Sequence, residues 1–244
     1  SFLTTNGIFH DGLPMRRLPE SLEEQRKFFA DVSVLGIFAD NHDGSRFLNR
    51  SSDVMLLKNI MVYILIGEGI PVIYYGTEQA FTGGGDPGSR ESLWPHYNVT
   101  AEMYQFIQNL SFFRRENIDV MTSPQTEIYV DDDTMVFARG NAEILGVMTK
   151  LGTGNHDDVT VSGLADYEGN EYTSIWNRSD VIRVNDCSLQ ITITNGQPNV
   201  YMKTGNGTEI SPALCPISDS ASYIGMDVKA LMVFILHFIW GCLL

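Results

Sequence analysis

Apolar positions along the chain follow two rhythms. Up to about residue 117 they gather in solid runs or recur at helical spacing; from there to about residue 214 many alternate with polar residues. Residues 34–38 (VLGIF) and 71–75 (PVIYY) are short apolar runs, the pattern of strands buried on both faces. Between them VMLLKNIMVYILI, residues 54–66, is almost wholly apolar and is bounded by Gly67 and Gly69. It is too short for a membrane span of about 20 residues. A buried helix is predicted instead, with Ser51, Ser52 and Asp53 offering its N-cap. A second helix is predicted over 101–116, where Met103, Ile107, Leu110 and Phe113 recur at helical spacing. Nearer the start, Ser21 and Glu24 stand in capping-box spacing and predict a helix over 21–29, with Phe28 and Phe29 turned inward. Residues 1–14 read as a loop.

Strand, helix, strand and helix in series make two parallel βα units, which belong to a doubly wound sheet or a (β/α)8 barrel. Two strands are too few for such a sheet. More are expected upstream of Ser1, so the chain reads as a fragment or a processed product. After residue 117 the period becomes that of strands. TEIYVDDDTMVFARG predicts a hairpin with Asp131, Asp132 and Asp133 at its turn. ILGVMTK, DVTVSGL, YTSIW, LQITIT and NVYMK follow, separated by turn signals at the spacing of a small antiparallel β-sandwich. The three aspartates read as a solvated tip, since no ligand spacing supports a metal there. At the end of the chain, Ser218, Ser220, Ala221 and Ser222 precede a short polar spacer and the mostly apolar run 230–244. This is the order of a glycosylphosphatidylinositol signal, with Ser220 as the attachment site. A short C-terminal membrane anchor and a buried last helix are the alternatives.

Charge and sequons narrow the class. Sixteen Lys and Arg face 30 Asp and Glu, a net charge of −14, which argues against nucleic acid as a partner. It suits a secreted enzyme acting on a neutral substrate. Five N-x-[ST] sequons begin at Asn49, Asn98, Asn109, Asn177 and Asn206. Together they point to the secretory pathway and an extracellular location; Asn109 is the weakest, because it falls in a predicted helix. Cys187 and Cys215 lie in the strand-rich region and Cys242 in the apolar tail. A Cys187–Cys215 disulfide is expected, with two buried thiols as the alternative.

Polar clusters follow both apolar runs: Asp40, His42 and Asp43 after the first, Asp86 and Arg90 after the second. In a parallel barrel both clusters would sit at the carboxyl ends of adjacent strands, where such folds carry their active sites. Taken alone, NHDG is also ordinary turn chemistry. LGIFADNHDGSRF, however, closely resembles the F-x-x-N-H-D segment of the α-amylase family of glycoside hydrolases. GIPVIYYGTEQ resembles that family's G-x-P-x-x-Y-x-G-x-E segment through Gly69, Pro71, Tyr74, Gly76 and Glu78, and GGGDPGSRESLW resembles the loop that follows it in fungal-type members.

The resemblance implies an α/β fold: the C-terminal part of a (β/α)8 TIM barrel (its last two βα units) over 1–117 and an antiparallel β-sandwich domain over 118–217; the anchor-like pattern marks 218–244 as a separate hydrophobic tail. It implies that Asp43 is the transition-state stabiliser and that His42, Asp86 and Arg90 bind substrate. The substrate is an α-glucan polysaccharide or oligosaccharide, and the protein is expected to be a monomer, attached to a membrane if the tail is an anchor. Trp94 and the Tyr74–Tyr75 pair are candidates for stacking on sugar rings, with Tyr74 more suited to the core. The family's nucleophile and acid/base segments are missing from this chain, as are the segments supplying its structural calcium ligands. Calcium is therefore expected for the parent and no metal site within these 244 residues. Three functions are compatible with this reading: an α-amylase, a surface-anchored 4-α-glucanotransferase acting on cell-wall α-glucan, and a non-catalytic carbohydrate-binding surface protein. Retention of His42 favours hydrolysis.

Overall fold

A computed structural model describes residues 2–205. The expectations for Asn206, Cys215, Ser220 and the tail 218–244 lie outside the described residues.

Two helices open the chain, α1 (Phe2–Asp11) and α2 (Arg17–Phe28). The reading of 1–14 as a loop is thus overturned over most of its length. The side chains of Thr5 and Asn6 turn back onto the Phe2 carbonyl at 2.9 and 3.0 Å, and Ile8 and Phe9 are buried. Packing, rather than the helix propensity of a Thr-, Asn- and Gly-containing segment, holds α1. Helix α2 begins at Arg17, not Ser21. Pro19 fits its first turn, where a missing N–H breaks no helical bond, and the Ser21 hydroxyl accepts from Thr4 and Gln25 instead of capping. Phe28 and Phe29 point outward, 83% and 50% exposed, because α2 buries the row through Leu18 and Leu22.

The predicted parallel pairing of the two apolar runs is present but short. β1 (Gly36–Ile37) and β2 (Ile70–Pro71) pair in parallel, Gly36 with Ile70 and Ile37 with Pro71. Burial on both faces does not hold, since Val34, Ile70 and Val72 are exposed. No further strand among the described residues joins this pair, so only the side holding Ile37 is covered. Between the strands lie the short α3 (Phe47–Arg50) and α4 (Val54–Ile66). Asp53 caps α4 by accepting the Met55 N–H, and the helix is buried from Leu57 to Ile66. α5 (Glu102–Glu116) lays Met103, Phe106, Ile107 and Leu110 into the same core, and the single turn α6 (Ile118–Met121) leads out of it.

Eight strands follow: β3 (Gln125–Val130), β4 (Thr134–Arg139), β5 (Ile144–Thr149), β6 (Asp157–Ser162), β7 (Glu171–Ser174), β8 (Val181–Arg183), β9 (Ser188–Ile193) and β10 (Asn199–Gly205). Six form an antiparallel sheet in the order β3-β4-β5-β10-β7-β8, and β6 pairs separately with β9. Because side chains alternate across a strand, the larger sheet serves two cores. Met135, Phe137, Ile144, Met148 and Val200 pack with α4 and α5; Val136, Ala138, Leu145, Val147 and Tyr201 pack with Val159, Val161, Leu189 and Ile191 of the β6–β9 pair. The three aspartates form the predicted hairpin tip. Asp131 accepts the N–H groups of Asp133 and Thr134, Asp132 pairs with Arg16, and Asp133 lies 3.5 Å from Lys150.

Two arginines converge on the end of α4, one from α5 and one from the larger sheet. Arg114 of α5 donates to the Leu65 and Gly69 carbonyls, and the buried Arg139 of β4 donates to Ile66. Together they satisfy carbonyls at and just beyond the C-terminal end of α4, where a helix has no partners of its own. Burial, followed by the nearby Arg114 charge, lowers the Arg139 pKa to about 10. No helix among the described residues is long and apolar enough to cross a membrane.

Candidate active site

The site rests on two loops, one after each parallel strand. In the first, Asn41 Oδ1 accepts the N–H groups of Asp43 and Gly44, both at 3.0 Å. This side-chain-closed turn leaves the side chains of His42 and Asp43 57% and 75% exposed, with His42 Nε2 3.1 Å from Asp43 Oδ1. In the second, Gly76 reverses the chain at φ 87°, where a Cβ would meet the Phe81 ring at 2.3 Å. Further along, Arg90 Nε donates to Asp86 Oδ1 at 2.5 Å, both side chains near half exposed. The hydrogen bond to Asp86 raises the Arg90 pKa, and the charge of Asp43 adds to the effect. His42 thus lies against Asp43 and Asp86 against Arg90, on two loops that are tied to one another.

What fixes the loops together lies beneath these four residues, and sequence reasoning missed most of it. Asp40 is buried; its Oδ1 accepts the Phe47 N–H at 2.7 Å and its Oδ2 the Thr77 hydroxyl at 2.9 Å. Burial pushes its pKa up in spite of those bonds. Arg46 is fully buried. It donates to the Tyr75 carbonyl at 2.6 Å and to Glu91 at 3.1 Å, and its guanidinium lies 4.3 Å from the Tyr74 ring centroid. Glu91 in turn accepts the Gly83 N–H at 2.6 Å. A third tie runs from Ser89 Oγ to the His42 carbonyl at 3.2 Å. In sequence, Arg46 looks like any polar loop residue; only its position before the apolar pair Phe47–Leu48 hinted at burial.

The aromatic candidates divide. Tyr74 and Tyr75 meet edge to face at 4.7 Å and pack on Arg46, so Tyr74 belongs with the support. Trp94, on the turn closed by the His96 N–H and the Leu93 carbonyl, is 85% exposed. Among the sequons, Asn98 and Asn177 are exposed, and each Oδ1 accepts from the residue two positions on. The Asn49 amide donates to the Thr82 carbonyl at 2.9 Å. Cys187 is disulfide-bonded. Among the described residues no group of three or more His, Cys, Asp or Glu is arranged to hold a metal ion. No chemical step is assigned to calcium.

The family model for the α-amylase catalytic domain matches residues 12–127, which include both loops. Alpha-amylase 1 of Schwanniomyces occidentalis is 35% identical over 179 residues, 70% of this chain and 35% of that protein. The chain belongs to the α-amylase family of glycoside hydrolases. A second α-amylase, from Saccharomycopsis fibuligera, is 32% identical over 186 residues, 74% of this chain and 37% of that one. The chain thus spans about a third of the length of these relatives. An α-amylase structure from Malbranchea cinnamomea superposes with a TM-score of 0.75 at 27% identity, covering 82% of this chain and 43% of that one. A cyclomaltodextrin glucanotransferase of Bacillus sp. (strain 38-2) is 31% identical over 169 residues, 62% of this chain and 24% of that protein.

Proposed function

We propose that the parent protein is an α-amylase that hydrolyses α-1,4-glucosidic bonds in starch- or glycogen-type glucans with retention. This chain carries the last two βα units of its barrel and the β-sandwich that follows. The carrying observation is the locking of the two loops, through Asp40–Thr77, Arg46–Glu91 and Ser89–His42, beneath four exposed polar residues. Asp43 supplies negative charge to an oxocarbenium-like transition state. His42, Asp86 and Arg90 hydrogen-bond the sugar, the arginine through fixed, charge-assisted donors.

A retaining glycosidase needs two carboxylates about 5–5.5 Å apart. Asp43, as transition-state stabiliser, is neither of that pair; Asp86 is held by Arg90, and both oxygens of Asp40 are engaged inside the protein. The 244-residue chain alone is therefore expected to turn over no α-glucan. The test compares the chain and its parent on maltoheptaose. Asp43→Asn in the parent should lower kcat by a factor on the order of 10²–10³, the scale of losing one preorganised electrostatic group. Turnover by the purified chain that disappears with Asp43→Asn would refute this assignment, and so would a parent unaffected by the change.

Similarity to the Bacillus glucanotransferase supports a second reading, transfer in place of hydrolysis. Products longer than a short maltooligosaccharide donor would favour it. The reading extends to an extracellular, monomeric glycoprotein modified at Asn98 and Asn177, carrying a Cys187–Cys215 disulfide and a lipid anchor at Ser220. Calcium is held by segments outside this chain.

A further inference from the structure

The outer side of α5 carries a sequon, Asn109-Leu110-Ser111, inside a helix, where the surface loop usual for such a motif is absent. The packing of α5 removes the objection that the helix raises. Leu110 is fully buried and belongs to the row Met103, Phe106, Ile107 and Leu110 that faces the core. Successive residues of a helix point about 100° apart. Asn109 and Ser111 therefore turn out on either side of Leu110, and both are exposed. Neither side chain has a hydrogen-bond partner among the described residues. At Asn49, by contrast, the amide nitrogen that a sugar would occupy already donates to the Thr82 carbonyl.

A glycan is bulky and has to stand at the surface. Asn109 offers room for one: with Gln108, Ser111, Phe112 and Arg115 it lines an open concavity of about 530 Å³, within the roughly 300–1,000 Å³ that holds a drug-sized ligand. Phe112 is 56% exposed there, with the Arg115 guanidinium 4.8 Å from its ring centroid. The first sugar would cover apolar ring surface that water otherwise contacts. We propose that Asn109 is a further N-glycosylation site. The proposal rests on the secretory reading of the chain, in which Asn98 and Asn177 are modified. The sugar is attached to the extended chain as it enters the secretory pathway, before α5 forms, so the helix is no barrier to the reaction. The Asn109 amide nitrogen bonds to the anomeric carbon of an oligosaccharide carried on a lipid diphosphate. The bond from that carbon to the diphosphate oxygen breaks, and the amide gives up one proton.

The test expresses the parent, from its own full-length sequence, in a eukaryotic secretory host. The denatured protein is treated with peptide N-glycosidase in ¹⁸O water, which leaves a labelled aspartate wherever an asparagine carried a glycan. Cleavage after Glu102 and Arg114 separates Asn109 from Asn98 for mass spectrometry. The label is expected at position 109. Ser111→Ala should abolish it there and leave it at 98 and 177, whereas Ser111→Thr should keep it at all three. Occupancy is read on peptides, so the outcome does not depend on how well a variant folds. An unlabelled Asn109 beside labelled Asn98 and Asn177 would overturn the proposal and leave the secretory reading standing. No label at any of the three would overturn both. A label at 109 that survives Ser111→Ala would also overturn the proposal, since transfer directed by the sequon needs the hydroxyl.

Discussion

Arg46 offers the most direct test of how the two loops are held. Its side chain is fully buried and pairs with Glu91, whose side chain is 27% exposed. Removing one partner of a buried pair costs about 3–5 kcal/mol, because the other charge is left uncompensated. Water reaches part of Glu91, so the lower end, about 3 kcal/mol, applies to Arg46→Met. For a chain of this size about 2–4 °C of Tm is lost per kcal/mol, which gives a fall of about 6–12 °C. Thermal unfolding followed by near-ultraviolet circular dichroism reads it. Glu91 also accepts the Gly83 N–H, so the second change must keep that acceptor. Arg46→Met/Glu91→Gln does so while removing the stranded charge, and it should be more stable than Arg46→Met by at least about 1 kcal/mol. A fall of less than about 3 °C for the single variant would refute the reasoning, as would a double variant no more stable than the single. Either result would mean that Asp40–Thr77 and Ser89–His42 suffice to hold the loops.

Two further predictions concern pH. Burial raises the Asp40 pKa, so the folded protein holds that proton more tightly than the unfolded chain does. Its contribution to stability is present below the ordinary carboxylate value of about 4 and is lost as pH rises through the folded pKa. Asp40→Asn keeps an acceptor for the Phe47 N–H and cannot ionise. It should be at least as stable as the unaltered chain at pH 7, with its advantage shrinking toward pH 4; urea midpoints showing the opposite trend would contradict this. His10 packs on Phe47 at 4.3 Å, and both its ring nitrogens are buried without partners among the described residues. Burial and then the Arg50 charge lower its pKa. The unfolded chain therefore takes up the proton first, and stability present above about 6.5 is lost as pH falls through the folded pKa. His10→Phe should flatten the stability profile between pH 7 and 5, and identical slopes with and without the substitution would rule His10 out as the cause.

Elements with one strong local signal were legible in advance. α4 is apolar throughout and capped by Asp53; β6 and β9 alternate because one face meets solvent; the hairpin β3–β4 carries its own turn. α1 and β8 carry no such signal. α1 contains Gly7 beside Thr4, Thr5 and Asn6, and β8 is three residues held by pairing with β7. α1 is fixed by the core that Ile8 and Phe9 enter and β8 by its pairing with β7, and neither partner is recorded in the segment's own pattern.

The site divides in the same way. His42, Asp43, Asp86 and Arg90 stand in short motifs whose residue types and order suffice to mark them, so the sequence by itself determined the family and singled out the four residues proposed to face the substrate. Asp40, Arg46, Thr77 and Glu91 are ordinary polar residues in sequence. Their roles exist only because contacts across 37 and 45 positions bury Asp40 against Thr77 and Arg46 against Glu91. Burial turns a polar side chain into one that must be paired, and burial is a property of the folded chain. Tertiary structure alone also set the outward turn of Phe28 and Phe29, since that depends on which surfaces meet.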